Sequence, residues 1–149
     1  MAKEYTKIRF TLHMEPPRAT AQGKRINRKT GAVFHTPEYQ AAEAEYLLRL
    51  RQEYNIYVKD KPLPFDGPVS CLITFCFCSR YRRDDEQPKP TRPDLDNMAK
   101  CLLDCMTKVG FWFDDSQVCF LLLEKKWKTG EGFIDIEVND YVPDGGEAR

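Results

Sequence analysis

The apolar pattern of the chain predicts an α+β domain, a mixed β-sheet of about five strands with two main helices packed on it. Three observations predict it. Residues 5–13 alternate apolar and polar, Val69 to Cys78 is apolar almost without a break, and apolar residues from Leu95 to Val109 recur at spacings of three and four. The predicted order is β-β-α-β-α-β-β, with a crossover between the third and fourth strands built by the second helix.

In the first strand Ile8, Phe10 and Leu12 share one side and Lys7, Arg9 and Thr11 the other, as in a half-buried strand. Pro16-Pro17 ends it. A polar stretch from Arg18 to Thr30 carries Arg18, Lys24, Arg25, Arg28 and Lys29 and closes at Thr30-Gly31. A short second strand, about Ala32 to His35, completes a hairpin-like excursion. Thr36-Pro37-Glu38 then opens a helix with a cap residue, a proline at the first position and an acid in the first turn. That helix runs to about Tyr54 and presents Tyr39, Ala42, Tyr46, Leu47 and Leu50 as its apolar face. Lys59 to Pro68 is a turn-rich connector.

Val69 to Cys78 is rich in β-branched and aromatic residues and predicts a central strand covered on both faces. Ser79 to Pro93 predicts an exposed loop, with Arg80, Arg82 and Arg83 followed by a solvated Asp84-Asp85-Glu86 and by Pro88, Pro90 and Pro93. The second helix places Leu95, Met98, Cys101, Leu102, Cys105, Met106 and Val109 on one stripe. Asp96, Lys100 and Thr107 fall on the opposite side. Pro93 and Asp94 mark its start, and Lys108 and Gly110 its end. Gln117 to Trp127 predicts another strand, which with the run at 69–78 and the helix forms a right-handed crossover. Lys128 to Gly132 is a turn, and Phe133, Ile134, Ile136 and Val138 form the returning strand of a hairpin.

The second helix is also where the chemistry concentrates. Asp94 and Asp96 stand at its entrance, Asp114 and Asp115 follow its exit, and Lys100 lies one turn inside. Carboxylates brought together with a lysine suit a hard divalent cation beside a phosphate. The positive end of the helix dipole favours their ionised form. A helix over 95–109 is roughly 22 Å long, and the return from Gly110 to Asp115 spans at most about 17 Å. Asp115 can therefore return most of the way towards Asp94, and all of it only if the helix starts late or ends early, so spacing alone allows the triad without forcing it. The plain structural use of Asp96 and Lys100 is an i,i+4 surface pair worth about 0.3–0.5 kcal/mol.

The block Asp94-Leu95-Asp96-Asn97, Lys100, Asp104, Thr107-Lys108 and Gly110-Phe111-Trp112-Phe113-Asp114-Asp115-Ser116-Gln117-Val118 resembles the RusA-type Holliday-junction resolvases, or crossover junction endodeoxyribonucleases. Weaker similarity covers Pro16-Pro17 and Gly31 to Tyr46. The resemblance implies a RusA-like fold over one domain, 1–149, with a basic loop at 18–31, a metal-site core at 92–118 and a tail from about 140. It implies that Asp94, Asp96 and Asp115 bind a catalytic Mg²⁺, with Mn²⁺ as a substitute, and that Lys100 is catalytic. It further implies a homodimer that cuts four-way DNA junctions by paired nicks. Two departures bear on substrate choice: the loop at 79–93 is longer than in the family, and Arg18-Ala19-Thr20 stands where relatives carry a Ser-Asn-Asn-like run.

The 149 residues are enough for one domain with a real core. With 42% hydrophobic and 31% charged residues the chain reads as soluble and globular. A net charge of zero argues against broad attraction to nucleic acid. Contact with DNA must therefore come from local clusters: Lys24, Arg25, Arg28 and Lys29 in the excursion, and Arg80, Arg82 and Arg83 after the central strand, all reading phosphates rather than bases. The six cysteines form no C-x-x-C pair and fit buried thiols in a reducing compartment better than zinc or disulfides. His35 has no partner histidine nearby, and Phe111, Trp112 and Phe113 read as core or interface. No apolar leader or membrane-spanning run is present, so a cytoplasmic protein is expected. A junction-binding module without catalysis is the alternative reading. A nucleotide-sugar D-x-D site lacks its Gly-rich loop here, and an EF-hand its glycine and terminal glutamate.

Overall fold

Along residues 5–20 and 25–143, which the computed structural model describes, the elements are β1 (Lys7–Leu12), β2 (Arg25–Ile26), β3 (Val33–Phe34), α1 (Pro37–Tyr57), β4 (Val69–Ser79), α2 (Leu95–Val109), β5 (Val118–Thr129) and β6 (Phe133–Asp140). Four strands form a mixed sheet in the order β1-β6-β4-β5. β2 and β3 pair separately as a two-stranded ribbon. The α+β class holds, and the predicted second strand belongs to the ribbon rather than to the sheet.

β4 is central because its side chains demand it. Val69, Cys71, Ile73, Phe75 and Phe77 point to one face and are fully buried there. Against them pack Tyr39, Tyr46 and Leu50 of α1 and Met98, Cys101, Leu102, Cys105 and Met106 of α2. Ile8, Phe10 and Leu12 of β1 and Ile134, Ile136 and Val138 of β6 extend the same layer. Burying each such side chain contributes about 1.5–3 kcal/mol. The opposite face carries no helix among the described elements. Ser70 and Cys76 are buried there by neighbouring side chains, while Leu72 and Thr74 are half-exposed and Cys78 is exposed. The expected double-sided cover is thus one layer of helices and one thin polar fringe.

β5 runs parallel to β4, from Val69 opposite Val118 to Ser79 opposite Thr129, with α2 as the connection. β6 does not return beside β5 as a hairpin. It pairs antiparallel with β4, Cys71 opposite Val138 and Ile73 opposite Ile136, and with β1 on its other side. The turn at 130–132 therefore crosses the end of β4, two strand spacings or roughly 10 Å. Gly130 takes a φ of +99°, and Gly132 passes so close to Cys76 that a Cβ would lie 3.1 Å from its carbonyl oxygen. A hairpin would have left one edge of the most apolar strand unpaired, which is why the crossing is preferred.

Residues 79–93 are not a free loop. Arg82–Asp84 forms a short 3-10 turn, and the chain then pairs with the outer edge of β5. Glu86 N donates to Trp127 O at 3.0 Å, Trp127 N to Gln87 O at 2.9 Å, and Lys89 N to Lys125 O at 3.2 Å. Glu86 accepts from both Lys126 (2.5 Å) and Lys128 (2.7 Å), which hold its carboxyl down at about 2. Asp85 accepts from Thr129 N at 2.7 Å, and Asp84 from the Ser79 hydroxyl at 2.6 Å. The acids expected to be solvated tie this segment to the sheet.

Candidate active site

α2 begins where the sequence places it. Asp94 is its N-cap in extended conformation, its carbonyl accepts from Met98 N at 3.1 Å, and Gly110 ends the helix in the left-handed conformation with φ +106°. The Asp94 carboxylate makes no capping hydrogen bond. A capping aspartate normally satisfies one of the free backbone amides of the first turn. Asp96 and Lys100 are both exposed on the side of the helix turned away from the core. Among the described residues they form no ion pair with each other, so the ordinary surface pair is not made, and Asp96 accepts no hydrogen bond.

Asp115 is delivered from the other side. After α2 the chain buries Phe111 and Trp112, whose indole N–H donates to the Thr107 hydroxyl at 2.7 Å. Phe113, by contrast, is 70% exposed, unlike its two neighbours, so of the core or interface places expected of the three it does not take the core one. Asp115–Gln117 then forms a 3-10 turn. Gln117 fixes that turn. Its oxygen accepts from Phe113 N (2.8 Å) and Asp114 N (3.1 Å), and its amide donates to Phe65 O (2.9 Å) and Gly67 O (3.0 Å). Gln117 was legible only as part of the G-F-W-x-D-D-x-Q-V block; its clamp on the distant Phe65–Gly67 segment carries no local signal.

The turn sets Asp115 into an open concavity of about 430 Å³, lined among others by Lys100, Asp104, Thr107, Lys108 and Asp114. Burial, the hydrogen bond and charge of Asp114, and the charge of Asp104 hold the Asp115 carboxyl above the ordinary aspartate range, while Lys100 pulls it back. Asp114 lies below that range, chiefly because the Ser116 hydroxyl donates to it at 2.8 Å. His35, Tyr39 and Glu43 complete the wall. His35 stacks on Tyr39 with ring centroids 4.2 Å apart, and Glu43 pairs with Lys108 at 3.2 Å. None of these three was marked by the sequence, because only the packing of α1 on α2 brings them here. Asp104, about two turns along α2 from Asp96, is the neighbour of Asp115 instead.

Asp94 lines a second, smaller concavity of about 160 Å³ with Arg18, Thr20, Arg92, Pro93 and Asn97. Asp115 thus returns to the level of Lys100 and Asp104, about one and a half to two and a half turns short of the helix start. Among the described residues no three His, Cys, Asp or Glu side chains are gathered closely enough to hold a metal ion. The donor chemistry of Asp94, Asp96 and Asp115 suits a hard cation, but this chain alone does not draw them into one shell. The six cysteines are free thiols, and burial pushes Cys71 up to about 12 and Cys76 up to about 11, so neither is a thiolate near neutral pH.

The basic residues are disposed as two exposed groups. Arg25, Arg28 and Lys29 lie on the ribbon of β2 and β3 and its turn, where Asn27 accepts from Lys29 N at 2.9 Å. Lys24 lies outside the described residues. The ribbon leads through Phe34 into His35, on the wall of the Asp115 concavity. Arg80, Arg82 and Arg83 leave the end of β4, with the guanidinium carbons of Arg80 and Arg83 at 5.0 and 4.8 Å from the Tyr81 ring. No described helix is long and apolar enough to cross a membrane.

A family profile described as Endodeoxyribonuclease RusA matches residues 15–139. The chain is 37% identical over 138 residues to the crossover junction endodeoxyribonuclease rusA of Lactococcus phage r1t, covering 90% of this chain and 98% of that protein. Shorter matches, 34% identical over 61 residues, join 41% of the chain to 51% of the crossover junction endodeoxyribonucleases RusA of Escherichia coli K12 and of Enterobacteria phage 82.

Proposed function

The chain belongs to the RusA endodeoxyribonuclease family, and on that premise we propose that it is a structure-selective endonuclease that resolves four-way DNA junctions by paired nicks. The observation that carries the reading is that the side chains of Asp94, Asp96 and Lys100 have no structural partner among the described residues, and that Asp115 is brought back along α2 to the level of Lys100. Asp94 caps without using its carboxylate, Asp96 and Lys100 stand apart, and Asp115 is clamped beside Lys100.

We assign Asp94, Asp96 and Asp115 as ligands of a Mg²⁺, for which Mn²⁺ can substitute. Held by these carboxylates, the ion would supply a lowered pKa for a bound water and positive charge for the phosphate. The side chains supply the rest. Lys100 faces the phosphate with a positive charge, and Asp115, disfavoured as an anion by burial, Asp114 and Asp104, gains from a cation brought close. Gln117 keeps the carboxylate in place. Arg25, Arg28 and Lys29, with Lys24 preceding them in sequence, hold the backbone of one DNA arm, and Arg80, Arg82 and Arg83 that of another. Replacing Arg25, Arg28 and Lys29 together by alanine should weaken junction and duplex binding alike and lower the slope of log K against log salt by about 3. An unchanged slope in a binding titration would remove the ribbon from the interface.

Cutting both strands needs two active sites, and a two-fold homodimer provides them. The first half of β5 supports this assembly. Cys119, Phe120, Leu121 and Leu122 are exposed in succession, and the segment at 86–89 covers only the Lys125–Trp127 part of the outer edge. An uncovered apolar edge is where a second copy of the same strand pairs. Leu122→Lys, at a position 55% exposed, should yield a folded monomer by sedimentation and wild type a dimer; a monomeric wild type would overturn the assembly. The free thiols suit a reducing, cytoplasmic setting. The test of substrate choice is cleavage of a labelled four-way junction beside linear duplex of the same sequence. Paired nicks on the junction alone are expected, and equal nicking of the duplex would overturn the selectivity.

A further inference from the structure

We infer that Lys89, a lysine of the segment expected to be a solvated loop, is a positioning residue that sets the Asp94 end of the active site. The inference rests on the endonuclease reading. Lys89 is 3% exposed and lies between two aromatic rings, its ammonium 4.9 Å from the Phe77 centroid and 5.0 Å from that of Trp127. A methionine would fill that space without the cost of burying a charge. What it would lack is donors. The ammonium has three N–H groups, and three acceptors surround it: Thr91 Oγ1 at 2.7 Å, Arg92 O at 2.5 Å and Thr91 O at 3.3 Å. A second ammonium approaches from β5. Lys125 Nζ donates to Thr91 O and to Pro93 O, both at 2.6 Å.

Two lysines therefore occupy three consecutive carbonyls, those of Thr91, Arg92 and Pro93. The next residue is Asp94. With its preceding backbone held on every carbonyl, the extended conformation of Asp94 and the start of α2 follow, and the carboxylates of Asp94 and Asp96 leave the helix in fixed directions. The grip runs through the rings of β4 and β5, so the first two acids are referred to the sheet rather than to a loop. On the other flank Gln117 does the same for Asp115. Each half of the site has its own anchor.

The test compares wild type with Lys89→Met, and with Lys125→Met, whose side chain is less buried and whose loss puts less strain on folding. Steady-state cleavage of the junction in Mg²⁺ is read together with native-state hydrogen exchange. Both variants should lower kcat by about 10–100-fold, the scale of residues that orient ligands, with the half-saturating junction concentration unchanged. Amides of Lys89 and Met98, which donate to Lys125 O and Asp94 O on either side of the turn, should exchange faster while those of β4 and β6 keep their protection. A purely structural lysine would instead speed exchange throughout the sheet, and either that pattern or unaltered exchange at Lys89 and Met98 in a folded variant would overturn the proposal. A wild type that cuts no junction would overturn the functional reading, and the exchange pattern would still decide whether the lysines hold the turn.

Discussion

Asp115→Asn is expected to lower junction cleavage by at least about 10²-fold, the scale of removing one group that stabilises transition-state charge, without lowering the thermal midpoint near neutral pH. The two halves of this prediction come from one observation. The Asp115 carboxyl is held above the ordinary range by burial, Asp114 and Asp104. A raised folded-state pKa means that the folded protein binds this proton more tightly than the unfolded chain. Its stabilising contribution is complete below the unfolded pKa and is lost as pH rises through the folded one. At neutral pH the ionised carboxylate is a net cost, which the neutral amide removes. The variant should therefore match or exceed wild type in midpoint at pH 7, and the difference should shrink as pH falls into the aspartate range. Loss of activity together with a large fall in midpoint would mean that Asp115 is structural.

Trp112→Ala carries the largest expected effect on stability, about 3–5 kcal/mol. Trp112 is among the largest fully buried side chains and lies under the turn that presents Asp115. Its backbone bridges to Phe65, and its indole N–H reaches Thr107 on α2. Truncation leaves a cavity between the C-terminal half of α2 and the connector before β4. Trp112→Phe keeps most of the ring and loses the hydrogen bond, at about 1 kcal/mol, since the Thr107 hydroxyl still donates to Leu103 O at 3.0 Å. Chemical denaturation of the two variants gives both numbers. A cost for the alanine variant below that of the phenylalanine variant would show that the indole is not packed as described.

What the sequence made legible follows from the range of the interactions concerned. α2 and its caps are local, and its apolar stripe, Asp94 at the start and Gly110 at the end stand as the periodicity indicates. The apolar run at 69–78 announced the centre of the sheet for the same reason. The strand partners were not local. The turn signal at Lys128 to Gly132 reads as a hairpin, and only the unpaired edge of β4 explains why β6 crosses to its far side. The segment at 84–89 looked solvated because it is acidic and proline-rich, yet its partners, Lys126, Lys128 and the backbone of β5, lie some forty residues on. At the site, the acids of the D-x-D and D-D pairs were readable as chemistry. Asp104, Glu43 and His35 were not, because their place depends on how α1 lies on α2. The return of Asp115 to about the level of Lys100 is the distance that helix length and chain reach allow.

The most direct measurement of the central claim is cleavage of one labelled four-way junction by wild type and by Asp96→Asn, in Mg²⁺, in Mn²⁺ and with EDTA, with binding followed in parallel. The account predicts paired nicks by wild type with either metal and none with EDTA. It predicts that Asp96→Asn binds the junction as wild type does and does not cut it. Tight binding without cutting by wild type in either metal, or cutting by Asp96→Asn at the wild-type rate, would contradict it.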